Sequence, residues 1–321
     1  MRNLLIYFFI SFCFITKCFA FDNEVKVLYT IDRNYSIFTL ISIDSILRNN
    51  TSHSKYWFYI AKQNLSLKQE NFMRKFIEKR GANVSFIDIN NDLINSDKII
   101  YNSPNCNYIT SVAMARIFAA DLLPKNINKI IYLDADTYVL SDLKDLYNYD
   151  IDNNFVGLVL NKPEVLYPKT FYDFKNGYFN SGVMLINLEK WRSEKVSKGI
   201  IKYYQDNIRK FTFDSNTKNC FYLVDQDLIN LYFDGKIKKI PSLWNQQITQ
   251  IYNIGVIHYI GSDKPWKFNS KNNKTRSYLN NWGKITELKL YRHYYLIKYY
   301  FDFYSNKIND LTAKIKSLLF L

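Results

Sequence analysis

The chain has 321 residues, 48% apolar and 17% aromatic, which is enough to bury a full core and excludes disorder over most of its length. Lys and Arg number 43 against 29 Asp and Glu, a net charge of +14 that admits nucleic acid, anionic lipid or a phosphate-bearing small molecule as partner. No nucleic-acid reading module accompanies that charge, so no specific nucleic-acid partner is expected.

Residues 1–20 begin with Arg2, continue with an apolar run from Leu4 to Ile15 broken by Ser11, and end in Cys18-Phe19-Ala20. The run is shorter than the ~20 residues that cross a bilayer. It is expected to be a signal peptide or a short membrane anchor, outside the folded domain. Beyond it only Cys106 and Cys220 remain, too few and too distant for a thiolate zinc site; they form one long-range bridge or stay as buried thiols.

Val25–Thr30 is a β-rich run, followed by a helical pattern through Ile41, Ile46 and Leu47. A strand over Lys55–Ile60 leads to a helix over Ser66–Arg80 that Gly81 stops, and then to a strand over Val84–Ile89. A helix over Ile109–Leu123 ends at Pro124, and Lys129–Leu133 is a strongly apolar strand. Phe155–Leu160 and Val183–Ile186 read as strands, Leu188–Asn207 and Val224–Phe233 as helices, and Val256–Tyr259 as a late strand. Strands and helices alternating at ~30-residue periods predict a doubly wound α/β domain on a parallel sheet. With no repeat and no linker, one domain is expected over 21–283.

The tail, 284–321, differs in character. Tyr291, Tyr294, Tyr295, Tyr299, Tyr300, Phe301, Phe303 and Tyr304 alternate with Lys289, Arg292, His293 and Lys298. Rings at the headgroups and cations on anionic lipid would suit a helix lying on a membrane surface. The alternative is a helix that packs its aromatics on the domain.

Two clusters carry chemistry. In KIIYLDADTYV (129–139) an apolar strand delivers Asp134 and Asp136 at its carboxyl end, where open α/β sheets bind ligands. Residues two apart on a strand face the same way, so both carboxylates are expected to reach one hard cation and, through it, a diphosphate. Aspartyl phosphatases also end a strand in Asp-x-Asp, but with Thr or Val where this chain has Tyr138. The second cluster is HYIGSDKPWK (258–267), one of only three histidines followed by a turn at Gly261 and by Lys264. Imidazole is a good ligand for Mn²⁺-like ions, and Lys264 can place an ammonium on a phosphate.

These residues sit within a longer succession: Tyr29-Thr30-Ile31-Asp32-Arg33-Asn34-Tyr35, Ala115-Arg116-Ile117-Phe118 to Leu122-Leu123-Pro124, YLDAD at Tyr132–Asp136, FNSGVMLINLEKW at Phe179–Trp191, DQDLIN at Asp225–Asn230, and HYIGSDKPW at His258–Trp266. Order and content resemble glycosyltransferase family 8, which includes bacterial lipopolysaccharide glucosyl- and galactosyltransferases and glycogenin. The resemblance implies a single α/β domain of the GT-A type, a Rossmann-like nucleotide-diphospho-sugar transferase fold, that binds a UDP-sugar and Mn²⁺ or Mg²⁺. It places Asp134, Asp136 and His258 on the metal. It places Thr30, Asp32, Asn34, Tyr35, Arg116, Ala135, Asn180, Gly182, Gly261 and Lys264 on the donor. Asp225 and Gln226 fall at the reacting sugar, with anomeric configuration retained.

The expected activity is transfer of glucose or galactose from a UDP-hexose to a glycan or lipid-linked oligosaccharide. A catalytically silent glycan- or nucleotide-binding protein on the same fold is the alternative. Some relatives carry an acceptor-contacting Asp where this chain has Asn161. The leader and tail together predict membrane association, at the cytosolic face of a bacterial inner membrane or in the lumen of a eukaryotic secretory compartment.

Overall fold

The computed structural model describes residues 23–89, 111–151, 153–161, 174–207, 224–247, 254–261, 264–267, 275–298, 300, 301 and 304. The leader, Cys106, Cys220 and the start of the helix expected from Ile109 lie outside them.

Apolar side chains on both faces make β1 (Glu24–Asp32) a central strand, and α1 (Ser36–Arg48) behind it is buried on nearly every side. β2 (Lys55–Gln63) leads into α2 (Leu67–Glu78). The Ser66 hydroxyl accepts from the Gln69 backbone and the Gln69 side chain reaches back to the Ser66 N–H, a capping box that fixes the helix start. Gly81, at φ +78°, ends that segment in a conformation only glycine adopts without strain, and β3 (Asn83–Asp88) follows.

Residues Ser111–Phe118 wind as a 3-10 helix and continue into α3 (Ala119–Leu122), where the sequence predicts a plain α-helix. Then come β4 (Lys129–Leu133), β5 (Thr137–Val139), α4 (Leu143–Tyr147), β6 (Val156–Leu160) and β7 (Phe179–Asn187). The single helix expected over Leu188–Asn207 is two, α5 (Leu188–Ser193) and α6 (Val196–Asp206), broken where Lys195 adopts a left-handed φ of 51°. The break lets Trp191 on one helix and Ile200 and Tyr204 on the other enter the same core. The chain closes with α7 (Val224–Tyr232), β8 (Ile237–Lys239), a 3-10 turn (Ser242–Asn245), β9 (Gln246–Gln247), β10 (Val256–His258), α8 (Thr275–Lys284), a 3-10 turn (Thr286–Leu288) and helical residues 289–298.

The main sheet has the order β3-β2-β1-β4-β7-β6-β8, with a small second sheet β5-β10-β9. Alternate side chains of each strand feed two cores. Val27, Tyr29, Ile131 and Leu133 pack under α1 and α2, while Leu28, Ile130 and Tyr132 pack under α3 and α5–α7. This is the doubly wound GT-A-type arrangement, but the sheet is mixed rather than parallel. β7 runs antiparallel to both β4 and β6. A strand buried on both faces reads as one apolar run whichever way it points, so the sequence pattern carries no direction.

The direction of β7 matters. Pairing Leu133 with Val183 sets the start of β7 beside the end of β4, so Asn180, Ser181 and Gly182 arrive at the edge where β1 and β4 finish. The chain turns one way from β1 to β2 and β4 lies on the other side, so the β1/β4 boundary is the switch point at which open α/β sheets hold ligands.

The tail does not start as a separate unit. Ile285 and Leu288 are core residues; Tyr295 packs against Phe38 and Trp282, and Tyr291 against Phe72.

Candidate active site

An open cavity of about 1000 Å³, counting its mouth, lies at the β1/β4 switch point. Its walls include Thr30, Asp32 and Tyr35 from β1 and the turn after it, Arg116 from the 3-10 helix, and Asp134, Ala135 and Asp136 after β4. Asn180 and Gly182 from β7, Asp225 and Gln226 from α7, and His258, Gly261 and Lys264 around the end of β10 complete the set.

Asp134 and Asp136 do not gain a common direction from strand alternation. β4 ends at Leu133, and Asp134-Ala135-Asp136 form a turn closed by Thr137 N–H donating to the Asp134 carbonyl at 3.1 Å. The turn feeds β5, which pairs antiparallel with β10 so that Thr137 faces His258, and Tyr259 N–H donates to the Asp136 carbonyl at 3.0 Å. That register carries His258 to the aspartates across more than a hundred residues of sequence.

His258 Nε2 lies 3.3 Å from Asp136 Oδ1 and 3.4 Å from Asp134 Oδ2. Its Nδ1 faces the side-chain oxygens of Asn180 at 3.1 Å and Asn245 at 3.0 Å. Two oxygens at Nδ1 fix the proton there and leave Nε2 as the ligating nitrogen. Asp136 Oδ1 is buried without a hydrogen-bond partner. Atoms bound cis to an octahedral ion at ~2.1 Å sit ~3.0 Å apart, close to the separations seen here. The donor set therefore fits one hard divalent ion held by Asp134, Asp136 and His258, which also form the group whose ligand atoms converge within 4.8 Å. Without an ion, a proton on Nε2 does the same electrostatic work: burial would lower the His258 pKa, but Asp136 and then Asp134 raise it to about 9.

Gly182 has a reason beyond lining the cavity. A Cβ placed there would come within 2.0 Å of His258 Cε1, so the imidazole occupies the space that any other residue would fill.

Fixed cations surround the carboxylates. The Arg116 guanidinium donates to Asp134 Oδ1 at 2.9 Å and to the Ser181 carbonyl at 2.9 Å, and its Nε is 3.1 Å from Asp225 Oδ2. Burial would lower the Arg116 pKa, but Asp134 and then Asp225 hold it above its ordinary value, so it stays charged. Burial likewise opposes ionisation of Asp134, yet Arg116 foremost draws its pKa below the usual range. Asp136 is lowered too, by Lys264 and then His258 against burial, and Lys264 Nζ donates to its Oδ2. Asp225 goes the other way: burial raises it more than Arg116 lowers it.

On the far wall, Gln226 Oε1 accepts from Ser181 N–H at 3.1 Å. Asn230, one turn along α7, grips Phe179 like a neighbouring strand, accepting from its N–H at 2.7 Å and donating to its carbonyl at 2.8 Å. Asn161 also lines the cavity, its Oδ1 accepting from Gln247 Nε2 at 2.6 Å. An amide there cannot supply the charge of an Asp.

All but one of the site residues expected from sequence line this cavity. The exception is Asn34, which belongs to a neighbouring groove with Arg33 and Gln69; its backbone N–H donates to Asp32 Oδ1 at 2.8 Å. That bond helps to hold the Asp32 carboxylate in place. Sequence reasoning missed Asn245, Ser181 and the wall residues Val112 and Ala113. The buried amide run Asn245-Gln246-Gln247 beside Trp244 was the available signal, since buried amides need partners.

The family model described as glycosyl transferase family 8 matches residues 26–270. The lipopolysaccharide 1,2-glucosyltransferase of Escherichia coli K12 is 28% identical over 266 residues, covering 75% of this chain and 72% of that protein. General stress protein A of Bacillus subtilis is 22% identical over 271 residues, covering 78% and 90%. Among solved structures, the galactosyltransferase LgtC in complex with donor and acceptor sugar analogs superposes with a TM-score of 0.69 at 21% identity, over 82% of this chain and 96% of that one.

Proposed function

We propose, from the premise that the chain belongs to glycosyl transferase family 8, that it is a glycosyltransferase moving glucose or galactose from a UDP-sugar to a hydroxyl of a glycan or lipid-linked oligosaccharide. The observation that carries the reading is the convergence of Asp134, Asp136 and His258, with Lys264 beside them, on a cavity at the switch point of the sheet. A bound Mn²⁺ or Mg²⁺ would neutralise the diphosphate of the donor.

The residues supply the rest. The bond from the anomeric carbon to the diphosphate oxygen breaks, the acceptor oxygen bonds to that carbon on the same face, and the hydroxyl proton passes to the departing phosphate. Configuration is thereby retained. Lys264, beside Asp136, places its charge on the leaving UDP. Arg116 keeps Asp134 ionised and holds the Ser181 carbonyl. Asp32 and Tyr35 take the base, Tyr35 by stacking. Asn180, Asp225 and Gln226 surround the sugar. Asn161 gives the acceptor side a neutral amide, which favours a sugar hydroxyl over a cationic group.

Purified protein with a panel of UDP-sugars and Mn²⁺ tests the reading by UDP release. Asp134→Asn is expected to lower turnover by ~10²–10³, as loss of one preorganised charge does. Full turnover in that variant, or in chelator, would refute it; tight UDP binding without turnover on any acceptor would instead identify a silent binding protein.

A second reading concerns the tail. Leu290, Tyr294, Ile297, Phe301 and Tyr304 are spaced by three or four residues and are exposed, Leu290 at 82% and Phe301 at 71%. No helix among the described residues is long and apolar enough to cross a membrane. An apolar stripe beside Lys289 and Lys298 suits attachment in the plane of an anionic surface, at the cytosolic face of a bacterial inner membrane or inside a eukaryotic secretory compartment. Co-sedimentation with anionic but not neutral vesicles, lost in Ile297→Glu, is the expected result; equal binding of that variant counts against it.

A further inference from the structure

We infer that Tyr178 and Asp227 are positioning residues that fix which way round the side-chain amide of Gln226 sits at the edge of the cavity. The inference rests on the transferase reading only for its consequence, not for its geometry.

The two ends of a glutamine amide are alike in shape and opposite in hydrogen bonding, so only the partners choose between the two orientations. On one side Gln226 meets Ser181 N–H at 3.1 Å, which demands an acceptor. On the other it meets the Tyr178 hydroxyl at 2.9 Å. A hydroxyl alone would accept either end. Asp227 removes that freedom. Its Oδ1 accepts the hydrogen bond that the Tyr178 hydroxyl donates, and a carboxylate can only accept. The phenol oxygen then has only lone pairs to offer Gln226, which must present Nε2. Both sides therefore impose the same orientation.

The relay is sealed from water. Tyr178, Gln226 and Asp227 are 6%, 4% and 5% exposed. Gln226 lines the cavity, whereas Tyr178 and Asp227 do not. The backbone beneath is held as well, because Asn230 Nδ2 donates to the Gln226 carbonyl at 2.8 Å while gripping Phe179. Burial raises the Tyr178 pKa well above its ordinary value, so the phenol keeps its proton at any working pH. The motif Asp-Gln-Asp-x-x-Asn thus divides its labour: Gln226 faces the cavity, while Asp227 and Asn230 hold it. What remains to Gln226 is one N–H and one carbonyl lone pair, and a flipped amide would exchange donor for acceptor where the sugar reacts.

Tyr178→Phe keeps the ring and removes the relay. It is expected to lower kcat about tenfold, the equivalent of one hydrogen bond, while the donor KM and the Mn²⁺ midpoint stay within about twofold. Asp227→Asn should act in the same direction. In a Gln226→Ala background, Tyr178→Phe should add less than about twofold, because the group it orients is gone. Independently of turnover, NMR of the selectively ¹⁵N-labelled Gln226 side chain should give two resolved, slowly exchanging NH₂ signals that merge or shift in Tyr178→Phe. Multiplying effects in the double variant, or unchanged Gln226 amide signals, would overturn the inference. Absence of turnover in the wild-type protein would count against the transferase reading alone, since the amide signals decide this one by themselves.

Discussion

Replacing Gly182 by Ala tests the site through a single methyl group. Its Cβ would stand 2.0 Å from Cε1, 2.6 Å from Nδ1 and 2.7 Å from Nε2 of His258. Carbon–carbon contact needs about 3.5 Å, so the ring must retreat by roughly 1.5 Å. The backbone is held on the β4 side, where Val183 pairs with Leu133 and the Gly182 carbonyl accepts Asp134 N–H at 2.8 Å, while on the β6 side the pairing bulges between Asn180 and Met184. Metal–ligand distances tolerate about ±0.2 Å, so a ring displaced this far no longer serves as the third ligand. Overpacking of this kind costs ~1–3 kcal/mol in stability, a loss of several degrees in Tm. Stability alone does not identify the cause, and Gly81→Ala supplies the control. That glycine sits at φ +78° with nothing within 4 Å of its Cβ, so substitution should cost ~1 kcal/mol through backbone strain alone and leave the metal untouched. Thermal melting and Mn²⁺ titration of both variants separate the two effects. Gly182→Ala should raise the Mn²⁺ midpoint at least tenfold, and Gly81→Ala should not move it. A Gly182→Ala protein with the wild-type midpoint and wild-type turnover would refute the placement of His258 on the ion.

Asn245→Leu removes one of the two oxygens that hold the His258 Nδ1 proton, and should weaken metal affinity ~10–100-fold with little change in fold, read by calorimetric titration. Arg192 donates to the carbonyls of Ala120 at 3.0 Å, Pro124 at 3.0 Å and Ile127 at 2.7 Å, closing the chain between α3 and β4; Arg192→Met should cost ~1–3 kcal/mol in urea unfolding. Glu287 bridges Lys79 and Arg80; its own backbone N–H, with those side chains, lowers its pKa from 4.5 to about 2 against burial. Because the folded value is the lower one, its contribution is complete above pH 4.5 and disappears as the pH falls through about 2. The Tm difference between wild type and Glu287→Gln should therefore be present at neutral pH, worth about 1 kcal/mol or less, and close over that acid window.

The parts of the fold legible in the sequence are those whose signal is local. β1 and β4 are apolar runs, and Gly81 marks a stop whatever surrounds it. The direction of β7 was not legible, because nothing in Phe179–Asn187 distinguishes an antiparallel neighbour from a parallel one. The break at Lys195 was hidden for a similar reason. The pattern on either side stays amphipathic, and only the need of Trp191 and Tyr204 to reach one core selects two helices over one. In the tail, the aromatics looked alike in sequence, yet Tyr295 is committed to Phe38 and Trp282 while Tyr294 is 60% exposed.

The site shows the same division more sharply. Asp134, Asp136 and His258 are legible as residue types at the ends of apolar strands, but the aspartates owe their shared direction to a turn and not to strand alternation. What brings His258 to them is a register, Thr137 opposite His258, and a register is a relation between segments that neither segment encodes alone. The same holds for Gly182 and Asn245, whose importance lies in the imidazole they accommodate and orient. A metal site built this way has an asymmetry that mutation should expose. Each carboxylate is held by its own nearby cation, Asp134 by Arg116 and Asp136 by Lys264, whereas the imidazole is held by neutral amides and by a space left empty at Gly182. Small changes in packing should therefore disturb the nitrogen ligand first, and changes in charge should disturb the oxygen ligands first.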